Sequence, residues 1–549
     1  MATTDDGATT ETDTTESGDY SHAQILAILA GLMMGMFLGA LDQTIVSTSI
    51  RTIADDLNGL SIQAWVTTAY LITATITTPI YGKLGDLYGR KKLFLFAISV
   101  FIVGSALCSF AGSMTQLAAF RALQGLGAGG LFTLVLAIIG DLVSPRERAR
   151  YTGYFMAMFG TSSVLGPLIG GFFAGTDSIF GVTGWRWVFL VNVPIGLAAL
   201  VVVTRTLHLK TPAPTGKIRI DWWGAASLVV ALVPVLTVAE QGREWGWVSG
   251  RSITAYVVGA IGLVAFVLAE RAMGDAALIP PKLFKIRAAL VTITASVVVG
   301  VAMFGGIFLL PLYMQIVHGA SPTESGLLTL PMVAGLMIAS IGSGRIISRT
   351  GQVRMFPIVG SALVVVALVL LSFTTADTAL VLVMLAMLVL GLGLGQCMQP
   401  LLLTMQSAVP PSDIGVATSS ATFFRQMGGT LGVAVLLSVL FGTVGGNIST
   451  AFADEGDNPK VAAALQDPSF QDTLAGVQDD SSVIETLDPA VAHPIKVGFA
   501  ESMDTVFLLA AGAGLLAFLI LLLMPKVELR ATSAAAAARA ESGTGPPRP

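Results

Sequence analysis

The sequence predicts an all-α polytopic membrane protein, with two groups of six membrane-spanning helices and a helix pair inserted between them. Two observations carry this prediction. The 549 residues are 54% hydrophobic and only 12% charged, whereas a soluble domain has about 25% charged residues. The hydrophobic residues also lie in runs of 17 residues or more, and a helix needs roughly 17 to 25 residues to cross about 30 Å of hydrocarbon. We therefore expect fourteen spans in a lipid bilayer.

The hydrophobic runs follow one another in an order that separates into six, two and six. The first group covers 23–46, 64–81, 93–111, 117–139, 151–174 and 187–207. The inserted pair covers 222–239 and 253–269. The second group covers 289–317, 326–347, 355–373, 379–403, 414–444 and 506–524.

The basic residues predict the orientation of these spans. Of the 30 lysines and arginines, 22 fall in segments that are cytoplasmic when the N-terminus is inside, if Arg205 and Arg345 at the inner ends of their spans are counted there; six fall outside, and Arg121 and Arg425 lie deeper within spans. Because lysine and arginine accumulate in cytoplasmic loops, we expect both termini on the cytoplasmic side of the cell membrane, that is, the plasma or inner membrane.

The same pattern divides the chain into regions. The first 22 residues are rich in threonine and acidic residues and contain no lysine or arginine, so they lack the positive start of a signal peptide and are expected to be disordered. The expected regions are a cytoplasmic tail at 1–22, a six-helix bundle at 23–207, linkers with the inserted pair at 208–287, a second six-helix bundle at 288–525 with an acidic, partly disordered external loop at 445–501, and a cytoplasmic tail at 526–549.

A charged stretch with regularly spaced glycines joins the second and third spans. Its glycines permit tight turns and close helix contacts, and an acidic residue precedes a basic one by four positions, a spacing that allows an ion pair. Since this stretch lies at the cytoplasmic rim, far from the midplane, we assign it to gating. The residues concerned are Gly82, Gly85, Asp86, Gly89 and Arg90.

Two charged residues fall inside spans of the first bundle. Asp42 lies near the outer end of the first span, and Arg121 lies in the fourth span, three residues before Gln124. Charged groups at membrane depth are costly unless they are paired or face a cavity, so a functional role is the first hypothesis. The alternatives are that Asp42 caps a helix end at the interface and that Arg121 reaches the interface with its long side chain.

The fifth span carries closely spaced small residues and a proline. Glycines four apart allow close helix packing, and a proline bends the helix because it lacks a backbone donor. The residues are Gly160, Gly166, Pro167, Gly170 and Gly171. In the thirteenth span, Arg425 and Gln426 are polar residues that, with Gln124, we expect to line a cavity.

Taken together, these motifs resemble the fourteen-helix drug:H⁺ antiporters of the major facilitator superfamily. The resemblance rests on G-x-L-x-D-x-x-G-R-K-x-L from Gly82, L-D-x-T-I-V from Leu41, R-x-x-Q-G from Arg121, G-P-x-x-G-G from Gly166, and W-R-W-x-F-x-x-N-x-P-x-G from Trp185. It implies the major facilitator fold, proton coupling by Asp42 and Arg121, and export rather than import. Arg51 departs from the family pattern, which usually has proline there.

The predicted function is therefore proton-coupled export of hydrophobic, cationic or amphiphilic drugs. No zinc-ligand, P-loop or nucleophile-elbow pattern occurs, so we expect no enzyme activity, no metal, no cofactor and no use of ATP. The expected partners are small hydrophobic substrates, protons and the bilayer, with no nucleic acid, and the protein is expected to work as a monomer. The alternatives are export of an endogenous lipid, siderophore or antibiotic, and a non-transporting sensor or scaffold.

Overall fold

Helices dominate the computed structural model, which describes residues 22–57, 63–143, 145–207, 221–456, 458–467, 470, 484 and 486–527. Most of both predicted tails, and the linker 208–220, lie outside the described residues. The first group of helices is α1 (His22–Asp56), α2 (Gln63–Tyr88), α3 (Arg90–Ser109), α4 (Met114–Leu142), α5 (Pro145–Ala174), α6 (Trp187–Leu190) and α7 (Asn192–Thr206). A two-stranded antiparallel ribbon between α5 and α6 is formed by β1 (Ser178–Ile179) and β2 (Val182–Thr183).

The inserted pair is α8 (Trp222–Trp245) and α9 (Gly250–Met273), followed by the short helix α10 (Lys282–Lys285). The second group is α11 (Arg287–Ile316), α12 (Pro322–Leu328), α13 (Leu330–Thr350), α14 (Met355–Leu371), α15 (Leu380–Ser407), α16 (Ile414–Asp454), α17 (Pro459–Leu465) and α18 (Pro489–Leu522).

The helices confirm the all-α membrane fold class. In the described part of the chain, eleven helices are long and apolar enough to cross a membrane, and two shorter apolar helices lie in α5 and at α14. The predicted second span lies on α2, where threonines such as Thr73 and Thr77 dilute the apolar side chains. Every predicted run overlaps a helix, so the structure is consistent with fourteen crossings, and that number stays a prediction.

Glycines set the close approach of helices within each bundle. A side chain on Gly125 or Gly129 of α4 would collide with α2 at Thr73 and Thr77, and one on Gly391 of α15 would collide with the backbone of α13. Small residues at such crossings let helix backbones pack tightly in a membrane. The α2–α4 crossing thus has a counterpart in α13–α15, as expected when two halves share one architecture.

The two bundles meet along two helix pairs, α2 against α16 and α5 against α13. The inserted pair lies beside the first of these contacts. Leu228 and Leu232 of α8 pack against Ile72 and Ile76 of α2, while α9 packs against α8. The outer surface of α9 is apolar and exposed, with Ile261, Leu263 and Val264 all more than half exposed. Such a surface is suited to contact lipid.

The stretch 445–501 differs from the loop that the sequence predicts. Its first residues continue α16 to Asp454, its last residues begin α18 at Pro489, and α17 lies between them. At 1.5 Å per residue, α16 with 41 residues is about 60 Å long and therefore extends beyond the bilayer. The extension is helical because Ile448 and Phe452 pack against Ile495. This stretch therefore has an apolar face in spite of its acidic composition. Residues 457, 468–469, 471–483 and 485 lie outside the described residues.

Candidate functional site

Asp42 and Arg121 form an ion pair in the interior of the first bundle. Asp42 lies on α1 and Arg121 on α4, and their relative exposures are 0% and 1%. The distance from Arg121 Nη1 to Asp42 Oδ2 is 2.5 Å. Both side chains are therefore enclosed in the bundle. The alternatives, a helix cap at the membrane interface for Asp42 and a side chain that extends to that interface for Arg121, do not fit this burial.

Three neutral side chains complete the network around the carboxylate. Gln124 Nε2 donates to Asp42 Oδ1 at 2.8 Å, and Asn192 Nδ2 donates to the same oxygen at 2.8 Å. Both amides also donate to Ser105 Oγ at 2.9 Å. The network thus joins four helices, α1, α3, α4 and α7, through one carboxylate.

The sequence motifs predict only part of this network. Asn192 and Ser105 were missed as site residues, and Gln124, expected to line a cavity, is fully buried because it bridges Arg121 and Asp42. Asn192 stands in the W-R-W-x-F-x-x-N motif, which was the available signal. Ser105 lies in an apolar run without any motif, and only the fold brings it to the carboxylate.

The Arg121 guanidinium has further partners besides the carboxylate. Its Nη1 also donates to Gln124 Oε1 at 2.7 Å, its Nε donates to the Val66 carbonyl oxygen at 3.3 Å, and its carbon Cζ lies 4.0 Å from the centre of the Tyr70 ring. Since a guanidinium stays charged in proteins, such acceptors are required when it is buried. The Arg121 charge is therefore compensated within the first bundle.

The charged stretch covers the end of α2 and the start of α3, and it connects the two bundles at the predicted cytoplasmic end. Asp86 Oδ1 pairs with Arg90 Nη2 at 2.9 Å, and Arg90 Nη1 pairs with Asp141 Oδ2 at 2.8 Å. Asp86 Oδ2 accepts a hydrogen bond from the backbone nitrogen of Val416 at 2.9 Å, in the first turn of α16. A carboxylate at a helix N-terminus is favourable because it satisfies a free N–H and complements the helix dipole.

Glycines allow this contact between the bundles. A side chain on Gly82 would collide with Ser419 of α16, one on Gly85 would press on Leu134, and one on Gly415 would collide with the Asp86 carboxylate. Gly89 has φ 93°, which favours glycine, and it separates α2 from α3. Gly82 and Asp86 therefore contact α16, whereas Gly85 and Arg90 contact α4 beside them.

The linker after the inserted pair is attached to the same region. Lys83 Nζ donates to the Asp275 carbonyl oxygen at 2.7 Å, and Lys282 pairs with Asp275 at 3.1 Å and with Asp413, just before α16, at 2.8 Å. Burial lowers the pKa of Lys83, an effect that the nearby Asp86 opposes. The linker is therefore anchored at the point where the bundles meet.

The small residues of α5 pack against α1 and the second bundle. Side chains on Gly166 and Gly170 would collide with Thr44 and Thr48 of α1, and one on Gly160 would press on Val333 of α13. Pro167 lies inside α5, and Gly171 is exposed. Thr44 Oγ1 donates to the Ser162 carbonyl oxygen at 3.1 Å. This helix therefore connects the α1 segment that carries Asp42 to the second bundle.

Arg425 and Gln426 lie on α16 and do not join the Asp42 network. Thr78 Oγ1 of α2 donates to Gln426 Oε1 at 3.2 Å across the bundle interface. Arg425 is partly buried, and its Nε is buried without a hydrogen-bond partner among the described residues. Among the described residues, Arg121 thus pairs with a carboxylate, whereas Arg425 forms no ion pair.

Comparison with known proteins agrees with this architecture. A family model described as Major Facilitator Superfamily matches residues 32–433. A Bacillus subtilis protein named "Multidrug resistance protein 3" is 35% identical over 92% of this chain and 96% of its own length. An uncharacterized MFS-type transporter of Mycobacterium tuberculosis is 37% identical over 91% of this chain and 70% of its own.

Solved structures share the fold at low sequence identity. The human organic anion transporter MFSD10 has a TM-score of 0.57 and 15% identity, covering 90% of this chain and 99% of that one. The proton:xylose symporter XylE has a TM-score of 0.58 and 14% identity, covering 92% and 97%. The helical bundles, the motifs and these similarities lead to one conclusion: the chain belongs to the Major Facilitator Superfamily of membrane transporters.

Proposed function

We propose that this transporter is a proton-coupled antiporter that exports hydrophobic, amphiphilic small molecules across the cell membrane, with both termini in the cytoplasm. The observation that carries the proposal is the buried ion pair of Asp42 and Arg121. A buried ion pair is often no more stabilising than an apolar pair of the same size, so its presence in the bundle interior favours a functional role. Relatives named as a multidrug transporter and as an efflux pump support export.

Protonation of Asp42 would change the forces between four helices. The ionised carboxylate attracts Arg121 of α4 and accepts from Asn192 of α7. A protonated carboxyl loses the charge attraction, which leaves the guanidinium with the neutral acceptors Gln124 and Val66. Binding and release of one proton would thus weaken and restore the contacts of α1 with its neighbours, and these contacts reach the second bundle through α5.

The proton gradient supplies enough free energy for export without a nucleotide or a cofactor. One inward proton yields about 2.3 kcal/mol per 100 mV and about 1.4 kcal/mol per pH unit. With a membrane potential of 100 mV and a pH difference of one unit, the cargo concentration gradient can reach about several hundredfold. The contact of Asp86 with α16 would hold the inner gate closed while the outer side opens, which assigns the charged stretch to the conformational cycle.

The cargo is a hydrophobic molecule with at least one polar group. The family resemblance favours a cationic group, which would need an accessible carboxylate, and Asp42 is committed to Arg121 in the described conformation. Export of an endogenous lipid, siderophore or antibiotic is the alternative on the same fold. A sensor or scaffold would have no need of the buried ion pair.

Transport into everted membrane vesicles tests the proposal. The probes are Hoechst 33342, an amphiphilic cation, and pyrenebutyrate, an amphiphilic anion, and vesicles without the protein serve as control. We expect at least one probe to accumulate when the vesicle interior is acidic, without ATP, and a protonophore to abolish the accumulation. Uptake that ignores the gradient or requires ATP would contradict proton coupling, and no protein-dependent uptake of amphiphiles would contradict export.

A further inference from the structure

Counting residues along α16, which contacts α2 of the first bundle, places Arg425 near the expected depth of the bilayer midplane. Asp86 bonds to Val416 at the cytoplasmic end of α16, and Arg425 lies nine residues further along the helix, or about 14 Å. Half the hydrocarbon thickness is about 15 Å. The next residue, Gln426, accepts the hydrogen bond from Thr78 of the first bundle, so Arg425 lies beside a contact between the bundles.

The immediate surroundings of Arg425 hold the helix firmly. Gly300 of α11 packs against the Arg425 carbonyl oxygen, and a Cβ on Gly300 would collide with it. Gly428 and Gly429, on the next turn of α16, also pack closely against α11. The backbone that carries the guanidinium is therefore fixed, as a binding group requires.

The guanidinium itself has no compensating anion in the described part of the chain. Its Nε is buried without a hydrogen-bond partner, and no ion pair there includes Arg425. The acidic groups that contact arginines have other partners: Asp42 pairs with Arg121, and Asp86 and Asp141 pair with Arg90. A buried donor without an acceptor is costly, and arginine does not lose its proton in proteins. An acceptor from outside the described residues, such as a group on a bound molecule, would satisfy this donor.

We infer that Arg425 binds an acidic group of the exported molecule, a carboxylate, sulfonate or phosphate, and so gives the transporter a preference for anionic amphiphiles. The inference rests on the proposed function and names the class of cargo for it. A guanidinium presents several donors in a planar fork that matches carboxylate and phosphate oxygens. Substrates of this architecture bind near the midplane between the repeats, which is where Arg425 lies.

The contribution of the acidic group to binding is measured with three probes that share one apolar body: pyrenebutyrate, pyrenebutanol and pyrenebutylamine. Binding to the purified full chain is measured by fluorescence titration in nanodiscs of neutral phosphatidylcholine. We expect the wild type to bind the acid most tightly and Arg425→Gln to weaken acid binding about tenfold or more, the worth of a charge-assisted hydrogen bond. Binding of the alcohol should change by less than about twofold, because it makes no such bond. Arg425→Lys, which keeps the charge without the fork, should fall between.

Equal weakening for all three probes would overturn the inference, since it would indicate a structural role for Arg425. So would a wild type that binds the acid no more tightly than the alcohol. Loss of the acid preference when the nanodiscs contain anionic phosphatidylglycerol would assign Arg425 to a lipid headgroup and would also overturn it.

Export in vesicles separates this inference from the proposed function. A wild type that binds the acid through Arg425 but does not export it with a proton gradient would refute the antiporter and leave the binding site standing. Gradient-driven export of all three probes, unaffected by Arg425→Gln, would leave the antiporter standing and refute the binding site.

Discussion

Arg121 and Arg425 are both arginines within predicted spans, one in each bundle, and their surroundings are opposite. Arg121 is 1% exposed and contacts a carboxylate, an amide oxygen, a backbone carbonyl and an aromatic ring. Arg425 is partly buried, and its Nε has no partner in the described part of the chain. The first charge is satisfied by the protein, whereas the second is available to a ligand.

This difference suggests a division of labour between the bundles. A satisfied ion pair with a titratable member can bind and release a proton and alter helix contacts within its own bundle. An unsatisfied cation at the bundle interface can hold an acidic cargo. Proton coupling would then belong to the first bundle and charge selection to the second, joined by the contacts of α5 with α13 and of α2 with α16.

The largest expected effect comes from Asp42→Asn. The asparagine keeps the shape of the side chain but cannot ionise, so proton binding at this site is lost while Arg121 loses its counter-ion. We expect gradient-driven export to fall to the background of protein-free vesicles. Downhill exchange of cargo, which needs no proton, should persist in proteoliposomes. Undiminished gradient-driven export by this variant would remove Asp42 from the coupling mechanism.

The next largest effect is on the free energy of unfolding, and it should differ between variants of the two arginines. Arg121→Gln leaves the Asp42 carboxylate buried without its cation, which costs about 3–5 kcal/mol in the free energy of unfolding. Arg425→Gln removes a charge that has no partner, so the cost should be less than about 1 kcal/mol. The measurement is the midpoint of thermal unfolding in one detergent. If both variants lost the same free energy of unfolding, the different surroundings of the two arginines would have no effect on stability.

A smaller effect is expected at the contact between the bundles. Asp86→Asn retains an oxygen for the Val416 backbone nitrogen but loses the charge that pairs with Arg90. The closed inner gate should become about tenfold less favoured. We expect slower export of every probe by the same factor, since the site lies far from the midplane. A loss confined to pyrenebutyrate would instead connect Asp86 with cargo binding.

The smallest effect is expected in the inserted pair, to which we assign no part in cargo binding. Single cysteines at Ile261, Leu263 and Val264 of α9, in a background without Cys108 and Cys397, should react with a membrane-soluble maleimide and resist a charged aqueous thiol reagent. Pyrenebutyrate should not protect them, and export should remain within about twofold of the background protein. Protection at several positions would extend the cargo site into the pair.

Much of the fold could be predicted from the sequence because spans are long apolar runs with basic residues at one side. The motif residues Asp42, Arg121 and Gln124 were predicted as candidates because polar groups are rare at membrane depth. Ser105 was not, since a serine in an apolar run looks like a packing residue. The helical extension of α16 beyond the predicted span was not predicted, because acidic residues surround the apolar residues Ile448 and Phe452.

Contacts between segments that are far apart in the sequence could not be predicted from sequence patterns. The attachment of Lys83 to the Asp275 carbonyl oxygen joins positions 192 residues apart and involves a backbone acceptor, which any residue offers. The unpaired state of Arg425 is likewise invisible in the sequence, where an arginine in a span looks the same whether or not a carboxylate lies beside it. The linker 271–287 is thus anchored at Lys83 and Asp413.

The most direct test of this division of labour is pyrenebutyrate export by purified protein in proteoliposomes, with the proton gradient and the cargo concentration varied separately. We expect Asp42→Asn to lose the response to the gradient while retaining downhill exchange. We expect Arg425→Gln to retain the response to the gradient but to need about tenfold more pyrenebutyrate for half-maximal export. If both variants lost the same property, whether gradient dependence or affinity for the acid, the two arginines would belong to one site and the division between the bundles would be refuted.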